Sequence, residues 1–302
     1  MQLGPRMSLF AVTGATGHLG RLAVSSLLER GLAASDLVAV VRDPGKAADL
    51  ADRGVQVRVA DYGDPAALEA AFTGVDRLLF VSGSEAGSRE VQHRNVVAAA
   101  QAAGVQRIVY TSIAKADTNS TPLAVEHRLT EQLLRDSGID TVLLRNSWYV
   151  ENYTAQLPQY RATGAVIGAA GEGRVAAATR ADYAEAAAAA LLAEEPRSAT
   201  YELGGPALTM AELAAVLGDV TGTDLAYRDL PPADFRAGLL AAGLDEGTAD
   251  FVLSLELATA AGELDVPPTH LERLLGRPAT DLRTALTQLV GRPTRIGGAQ
   301  QE

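Results

Sequence analysis

Residues 8–30 read SLFAVTGATGHLGRLAVSSLLER. An apolar run, Leu9 to Val12, has the makeup of a buried strand. Thr13-Gly14-Ala15-Thr16-Gly17-His18-Leu19-Gly20 follows, and then Leu19, Leu22, Ala23, Leu27 and Leu28 recur at helical spacing. Strand, glycine turn and helix form the context that a dinucleotide fingerprint needs. Gly14 allows a tight turn off the strand, and Gly17 has no side chain to keep a pyrophosphate from the backbone. Gly20 allows the helix to pack closely on the sheet. The helix start offers N–H groups and the positive end of its dipole to phosphate.

Downstream, strand and helix patterns alternate. Residues 37–41, LVAVV, predict a second strand that ends at Arg42. An Asp or Glu at this place binds a ribose 2′-hydroxyl, whereas Arg accommodates a 2′-phosphate. Arg42, with Lys46 four residues on, favours NADPH; Asp36 lies at the wrong end of the strand for the acidic role. Residues 55–60 alternate as a third strand leading to Asp61 and Tyr62, which are placed to lie along an adenine. Asp64 with Pro65 opens a helix. A strand over 76–82 ends in Ser82-Gly83-Ser84, a small loop that leaves room for the other half of a cofactor. A helix over 88–103, a strand over 106–111 running into Ser112, and a strand from Thr141 to Leu144 running into Asn146, Ser147, Trp148 and Tyr149 complete the series.

Regular βαβ alternation with short connections predicts an α/β fold, a Rossmann-type doubly wound parallel sheet covered on both faces by helices. The strand C-terminal ends, Ser112 among them, should line one crevice. After Tyr149 the rhythm changes. Asp182 with Glu185, and Thr209 with Glu212, have capping-box spacing. ATYELGG at 199–205 reads as a strand, and from there to about 290 the chain is mostly helical, broken at Pro231-Pro232, Pro267-Pro268 and Pro278. The expected organisation is an NAD(P)-binding domain over 8–150, a smaller, mostly helical substrate lobe over 151–292 partly interleaved with the main sheet, and a disordered tail over 293–302.

Composition narrows the function. At 47% hydrophobic, 302 residues can bury a sizeable core. The net charge of −11, with no Lys/Arg cluster, argues against binding a nucleic-acid backbone. The absence of cysteine excludes disulfides and thiolate chemistry. His18, His93, His127 and His270 show no metal-site pairing. No apolar run reaches the length of a membrane span, and MQLGPRMS holds no signal-peptide apolar segment, so a cytoplasmic location is expected.

One absence bears on chemistry. Most short-chain reductases use a Tyr-x-x-x-Lys pair to protonate a carbonyl as hydride arrives. Tyr110 and Lys115 are five apart, and Tyr110 belongs to a strand. Where the pair belongs, the chain reads Leu123-Ala124-Val125-Glu126-His127, with leucine in the tyrosine place and His127 at the lysine spacing. An electrophilic acceptor such as a quinone or a cationic dye takes hydride without that acid. A binder that performs no chemistry also lacks it. His127 suits a contact to the cofactor or acceptor, a proton supply, or a helix contact with no role in chemistry. Asn146 suits a cofactor amide or a substrate oxygen, and Trp148 and Tyr149 suit stacking on a flat acceptor or a place in the core.

Taken in order, these residues resemble the NmrA-like atypical short-chain dehydrogenases, and within them the type 2 NAD(P)H:quinone oxidoreductases. The pieces are TGATGHLG at 13–20, VRDPGKA at 41–47, FVSGSEAGSREVQHRNVVAAA at 80–100, IVYTSIAKADTN at 108–119, LAVEHRLTEQLLRDSGI at 123–139, LLRNSWYVENY at 143–153 and ATRADYAEAAA at 178–188. The Gly-x-x-Gly-x-x-Gly spacing is one residue wider at its first step than Gly-x-Gly-x-x-Gly and is similar to that of the atypical families. The resemblance implies flavin-free, NADPH-dependent reduction of a quinone or similar conjugated electrophile. Within the family stand two alternatives, a cofactor sensor without catalysis and a reductase of a dye or biosynthetic intermediate. By matching position, Gly14, Thr16, Gly17, His18, Leu19 and Gly20 would hold the pyrophosphate, and Arg42 the 2′-phosphate. Ser82 and Gly83 would border the cofactor, and Asn146, Trp148 and Tyr149 the nicotinamide and acceptor. Ser147 stands where the family motif has glycine, and a homodimer is left open.

Overall fold

The structure is a computed structural model, and it describes residues 8–85 and 87–290. The expected tail over 293–302 and the first seven residues lie outside them. Six strands arise in the order the sequence predicts: β1 (Phe10–Thr13), β2 (Leu37–Val41), β3 (Gln56–Val59), β4 (Arg77–Phe80), β5 (Arg107–Ile113) and β6 (Asp140–Asn146). The helices between them are α1 (His18–Glu29), α2 (Ala48–Asp52), α3 (Pro65–Phe72), α4 (Arg89–Ala102) and α5 (Pro122–Asp136). Asp64 caps α3 by accepting from the Ala67 N–H, with Pro65 behind it. Thr121 caps α5 in the same way.

After β6 come α6 (Val150–Thr154), α7 (Leu157–Thr163), β7 (Ala165–Gly168), β8 (Arg174–Val175), α8 (Arg180–Leu192) and β9 (Ala199–Leu203). Then follow β10 (Leu208–Thr209), α9 (Met210–Thr221), β11 (Ala226–Asp229), α10 (Pro232–Ala241), α11 (Glu246–Ala260), α12 (Thr269–Leu275) and α13 (Leu282–Val290). The capping box of Thr209 with Glu212 forms at the start of α9. The one expected from Asp182 with Glu185 does not. Thr179 is the cap of α8 and accepts from the Asp182 N–H, which makes Asp182 the third helical residue. Asp182 is buried and holds Thr280 and Arg277, and the Glu185 carboxylate pairs with Arg30 and Arg277.

The main sheet is fully parallel, in the order β3-β2-β1-β4-β5-β6-β9. Strand alternation sorts each strand's residues to opposite faces. Phe10 and Val12 of β1 and Leu37, Ala39 and Val41 of β2 pack with α1, α8 and α12. Ala11, Val38 and Val40 pack with α3, α4 and α5. α8, β9 and α12, all beyond residue 150, thus belong to the core of the main sheet. A separate core unites α6, α7, α9 and α13 through Val150, Tyr153, Tyr160, Leu213, Leu217 and Leu286. Within it β7 pairs in parallel with β11, and the short β8 with β10. The strand order reverses between β1 and β4, so the crevice outside the strand ends opens there.

Candidate functional site

A cleft of about 620 Å³ lies across those strand ends. It is lined by Gly14, Thr16, Gly17, His18, Leu19 and Gly20 from the first turn, and by Arg42, Lys46, Asp61 and Tyr62 beyond β2 and β3. Ser82 and Gly83 after β4, Ser112 of β5, His127 of α5, and Asn146, Trp148 and Tyr149 at the end of β6 complete the set singled out above. Arg180, Asn152, Glu85, Arg89 and Gln92 also line it and were not singled out.

The glycine turn works through backbone contacts. Gly14 has φ +58°, and its carbonyl accepts from the Gly17 N–H at 2.9 Å. A Cβ on Gly20 would stand 2.2 Å from that carbonyl oxygen, so Gly20 lets the helix begin directly against the turn. At the N-cap of α1, Gly17 supplies no side-chain bond, and the first turn holds no acidic residue. The N–H groups of that turn remain for an anion.

At the β2 end, the Arg42 guanidinium lies 2.8 Å from Glu85 and 4.0 Å from Asp61. Asp61 also accepts from the Gly63 N–H and holds a turn. The Tyr62 hydroxyl lies 2.6 Å from Thr13 Oγ1 and 2.7 Å from the Val81 carbonyl, which ties the end of β3 to β1 and β4 and makes the ring a fixed wall.

The loop after β4 is held from behind. The Gly83 N–H donates to His93 Nε2 at 3.0 Å, and the Gly83 carbonyl accepts from Arg89 Nε at 2.8 Å. Arg89 also pairs with Glu126. His93 Nδ1 lies 2.8 Å from Thr130 Oγ1; since Nε2 accepts, Nδ1 carries the proton and donates. Burial, with a smaller contribution from Arg89, lowers the His93 pKa to about 3. Its unfolded value is about 6.5, so in the interval between them the unfolded chain binds the extra proton. The stability that neutral His93 contributes is complete above pH of about 6.5 and is lost as pH falls toward about 3. His93→Gln preserves both bonding roles without titrating. Its thermal midpoint should fall less steeply than wild type between pH of about 6.5 and 4, a comparison that calorimetry makes directly.

Further along, Ser112 donates to the fully buried Glu131 at 2.7 Å, so its hydroxyl offers only lone pairs to the cleft. Glu131 also holds Arg145 at 2.9 and 2.6 Å. His127 is buried, and its Nδ1 lies 2.7 Å from the Tyr110 hydroxyl. Burial pushes the Tyr110 pKa up, so the phenol keeps its proton and shares a hydrogen bond with Nδ1. Burial, then Arg89 and His93, hold the His127 pKa well below its usual value, and the ring is neutral near pH 7. Asn146 is buried, and its Oδ1 has no hydrogen-bond partner among the described residues. The Arg180 guanidinium lies over the Tyr149 ring, 4.9 Å from its centroid.

The structure does not assemble a Tyr/Lys pair from Tyr110 and Lys115. Tyr110 is engaged with His127, and Lys115 Nζ donates to the Gly262 carbonyl at 2.7 Å. Leu123 and His127, one helical turn apart on α5, both line the cleft. Among the described residues no group of three His, Asp or Glu side chains could hold a metal ion, and no helix is long and apolar enough to cross a membrane.

A family profile described as NAD(P)H-binding matches residues 14–194. Quinone oxidoreductase 2 of Escherichia coli (strain K12) is 47% identical over 282 residues, which is 93% of this chain and 98% of that protein. The crystal structure of an NADPH-dependent quinone oxidoreductase from Escherichia coli complexed with NADPH superposes with a TM-score of 0.89 at 47% identity, covering 93% of this chain and 100% of that one. Triphenylmethane reductase of Citrobacter sp., 36% identical, superposes with a TM-score of 0.87 over 94% of this chain and 100% of that one.

Proposed function

This chain belongs to the NAD(P)H-binding, NmrA-like family of atypical short-chain reductases, and on that premise we propose that it is an NADPH-dependent quinone reductase working without flavin. One observation carries the chemistry. Leu123 and His127 stand in the cleft where a Tyr/Lys pair would act, beside Trp148 and Tyr149. A site that offers a carbonyl no acid, next to a flat aromatic wall, suits an acceptor whose conjugation spreads the incoming electron pair.

The residues fit the cofactor. The start of α1 without a side-chain cap and the bare Gly17 suit a pyrophosphate. Arg42 and Lys46 suit the 2′-phosphate, with Asp61 and Tyr62 beside the adenine. Ser82 and Gly83 border the centre of the cleft. The unpartnered, buried Asn146 Oδ1 and the lone pairs of Ser112 suit a carboxamide N–H. The reduced nicotinamide, when bound, supplies hydride. Asn146 orients, Trp148 and Tyr149 border the acceptor and exclude water, and solvent supplies the proton of the reduced product, because a neutral His127 imidazole is too weak an acid to give one up. The reading includes a cytoplasmic location, supported by the lack of cysteine and of a membrane-crossing helix among the described residues. A homodimer is compatible with it.

The test is oxidation of NADPH or NADH by the purified protein with a simple quinone, followed at the reduced-nicotinamide absorbance. Saturable turnover with NADPH supports the reading; cofactor binding without turnover on several acceptors replaces it with the sensor. In the same assay Arg42→Ala should lower kcat/KM for NADPH by roughly 10- to 100-fold, the worth of one charge-assisted phosphate contact of about 1.5–3 kcal/mol. NADH should change little, and equal loss with both cofactors would remove Arg42 from the phosphate site.

A further inference from the structure

We propose that Arg180 sets the charge class of the acceptor, favouring those that become anionic on receiving hydride over those that arrive as cations. The inference rests on the reductase reading above. Arg180 opens α8, and three features put its charge at the acceptor end of the cleft. Its guanidinium covers the Tyr149 ring, 4.9 Å from the centroid. Its Nη2 donates to Asn152 Oδ1 at 2.8 Å, a neutral amide. Tyr149, Asn152 and Arg180 all line the cleft.

The neighbouring charges are otherwise occupied or distant. The Glu151 carboxylate accepts from the Arg180 backbone N–H at 3.0 and 3.1 Å, capping the helix start. Arg89 is bound to Glu126 and to the Gly83 carbonyl. Arg42 and Lys46 follow β2, four strands from β6 and therefore about 19 Å away at ~4.8 Å per strand. At the Tyr149 end the lining of the cleft carries the Arg180 guanidinium, with the Glu151 carboxylate behind it outside the lining, and the effect of that guanidinium depends on how acceptor charge changes.

A quinone enters neutral. It takes the hydrogen and electron pair of the C4–H bond that breaks on the reduced nicotinamide and becomes a hydroquinone monoanion. One proton from solvent completes the hydroquinone. Negative charge grows on the quinone as the bond forms, and a fixed cation beside it lowers that barrier. A triarylmethyl cation accepts the same hydride to give a neutral product. It is still partly cationic in the transition state, and the same guanidinium repels it. One side chain acts with opposite sign on the two acceptors.

The experiment compares wild type, Arg180→Gln and Arg180→Lys at saturating NADPH, with para-benzoquinone and the malachite green cation as probes. In Arg180→Gln, kcat/KM for the quinone should fall roughly 10- to 100-fold, while that for the dye rises several-fold. Arg180→Lys, which keeps the charge, should stay near wild type on both. NADPH affinity from a fluorescence titration should be preserved in both variants and shows that the cleft is folded. If both acceptors lose activity together, or dye turnover fails to rise, Arg180 is structural and the inference is overturned. If wild type itself does not reduce the quinone, the reductase reading falls first.

Discussion

Gly20→Ala should abolish productive cofactor binding, although it adds a single methyl group in a helix. That methyl carbon would sit 2.2 Å from the Gly14 carbonyl oxygen, 2.8 Å from its carbonyl carbon and 3.1 Å from Ala15 Cα. All three are backbone atoms, so no rotamer change relieves the overlap. Either α1 or the turn must shift, and the turn is already committed by the positive φ of Gly14 and its bond to the Gly17 N–H. Overpacking of this kind costs about 1–3 kcal/mol, or about 2–4 °C in thermal midpoint per kcal/mol for a chain of this class. The functional effect should be larger. Displacing by an ångström the N–H groups proposed for the phosphates is worth roughly 100-fold or more. A fluorescence titration with NADPH, paired with a melting curve, reads both. Gly238→Ala is the control: a Cβ there meets open space within a helix, so no loss of stability is expected. An NADPH affinity of Gly20→Ala within a few-fold of wild type would mean that the turn relaxes freely.

The second large effect is expected beneath the cleft, where Glu131 is fully buried. Its carboxylate accepts from Ser112, from Arg145 Nε and Nη2, and at 3.5 Å from Arg135. Burial would lower the Arg145 pKa, but its bonds to Glu131 and Asp117 outweigh burial and raise it, so the guanidinium stays charged. Glu131→Ala leaves that charge largely buried, with the exposed Asp117 and the partly buried Glu202 as its remaining partners. Breaking one side of such a pair costs about 3–5 kcal/mol, a large share of the roughly 5–15 kcal/mol that holds a domain folded. Denaturant unfolding measures it. Arg145→Met combined with Glu131→Leu should recover much of the loss, because it removes both charges together. The single variant also leaves the Ser112 hydroxyl without its acceptor and free to donate into the cleft. Stability unchanged in Glu131→Ala would show that Asp117 and Glu202 suffice for Arg145.

What could be read in the chain was local. Apolar alternation in LVAVV and the glycine turn before α1 each declare themselves within a few residues, as do Asp64-Pro65 and Thr209 with Glu212. The places that line the cleft followed from topology, since parallel strands deliver their C-terminal ends to one edge. What escaped depends on contacts distant in sequence. The spacing of Asp182 and Glu185 points to Asp182 as the cap of α8, but Thr179, three residues earlier, wins because its hydroxyl reaches the Asp182 N–H, and Asp182 turns inward to Thr280 instead. The pairing of β7 with β11 joins strands some sixty residues apart, for which short-range periodicity gives no sign. Arg180 stood within the quoted ATRADYAEAAA, yet its place over Tyr149 depends on how α8 meets the end of β6. Glu85 reaches Arg42 only because the loops after β2 and β4 face each other across the cleft. The free Oδ1 of Asn146 has no counterpart in sequence at all, since an unmet hydrogen bond is a property of the surroundings.

The return of the chain to the main sheet at β9 limits how specificity can be transplanted between relatives. An engineer who exchanged everything after Tyr149 would also replace the strand that pairs with β6 and the helix whose alanines pack on α1. The donor's lobe would then be asked to complete a foreign sheet. Exchangeable material comes instead as three separate pieces. One runs from α6 to β8, another from β10 through α11, and the third is α13, which shares their core, with α8, β9 and α12 retained by the host. Arg180 falls in the retained part, so recoding the choice of acceptor needs a point substitution in the scaffold as well as a graft.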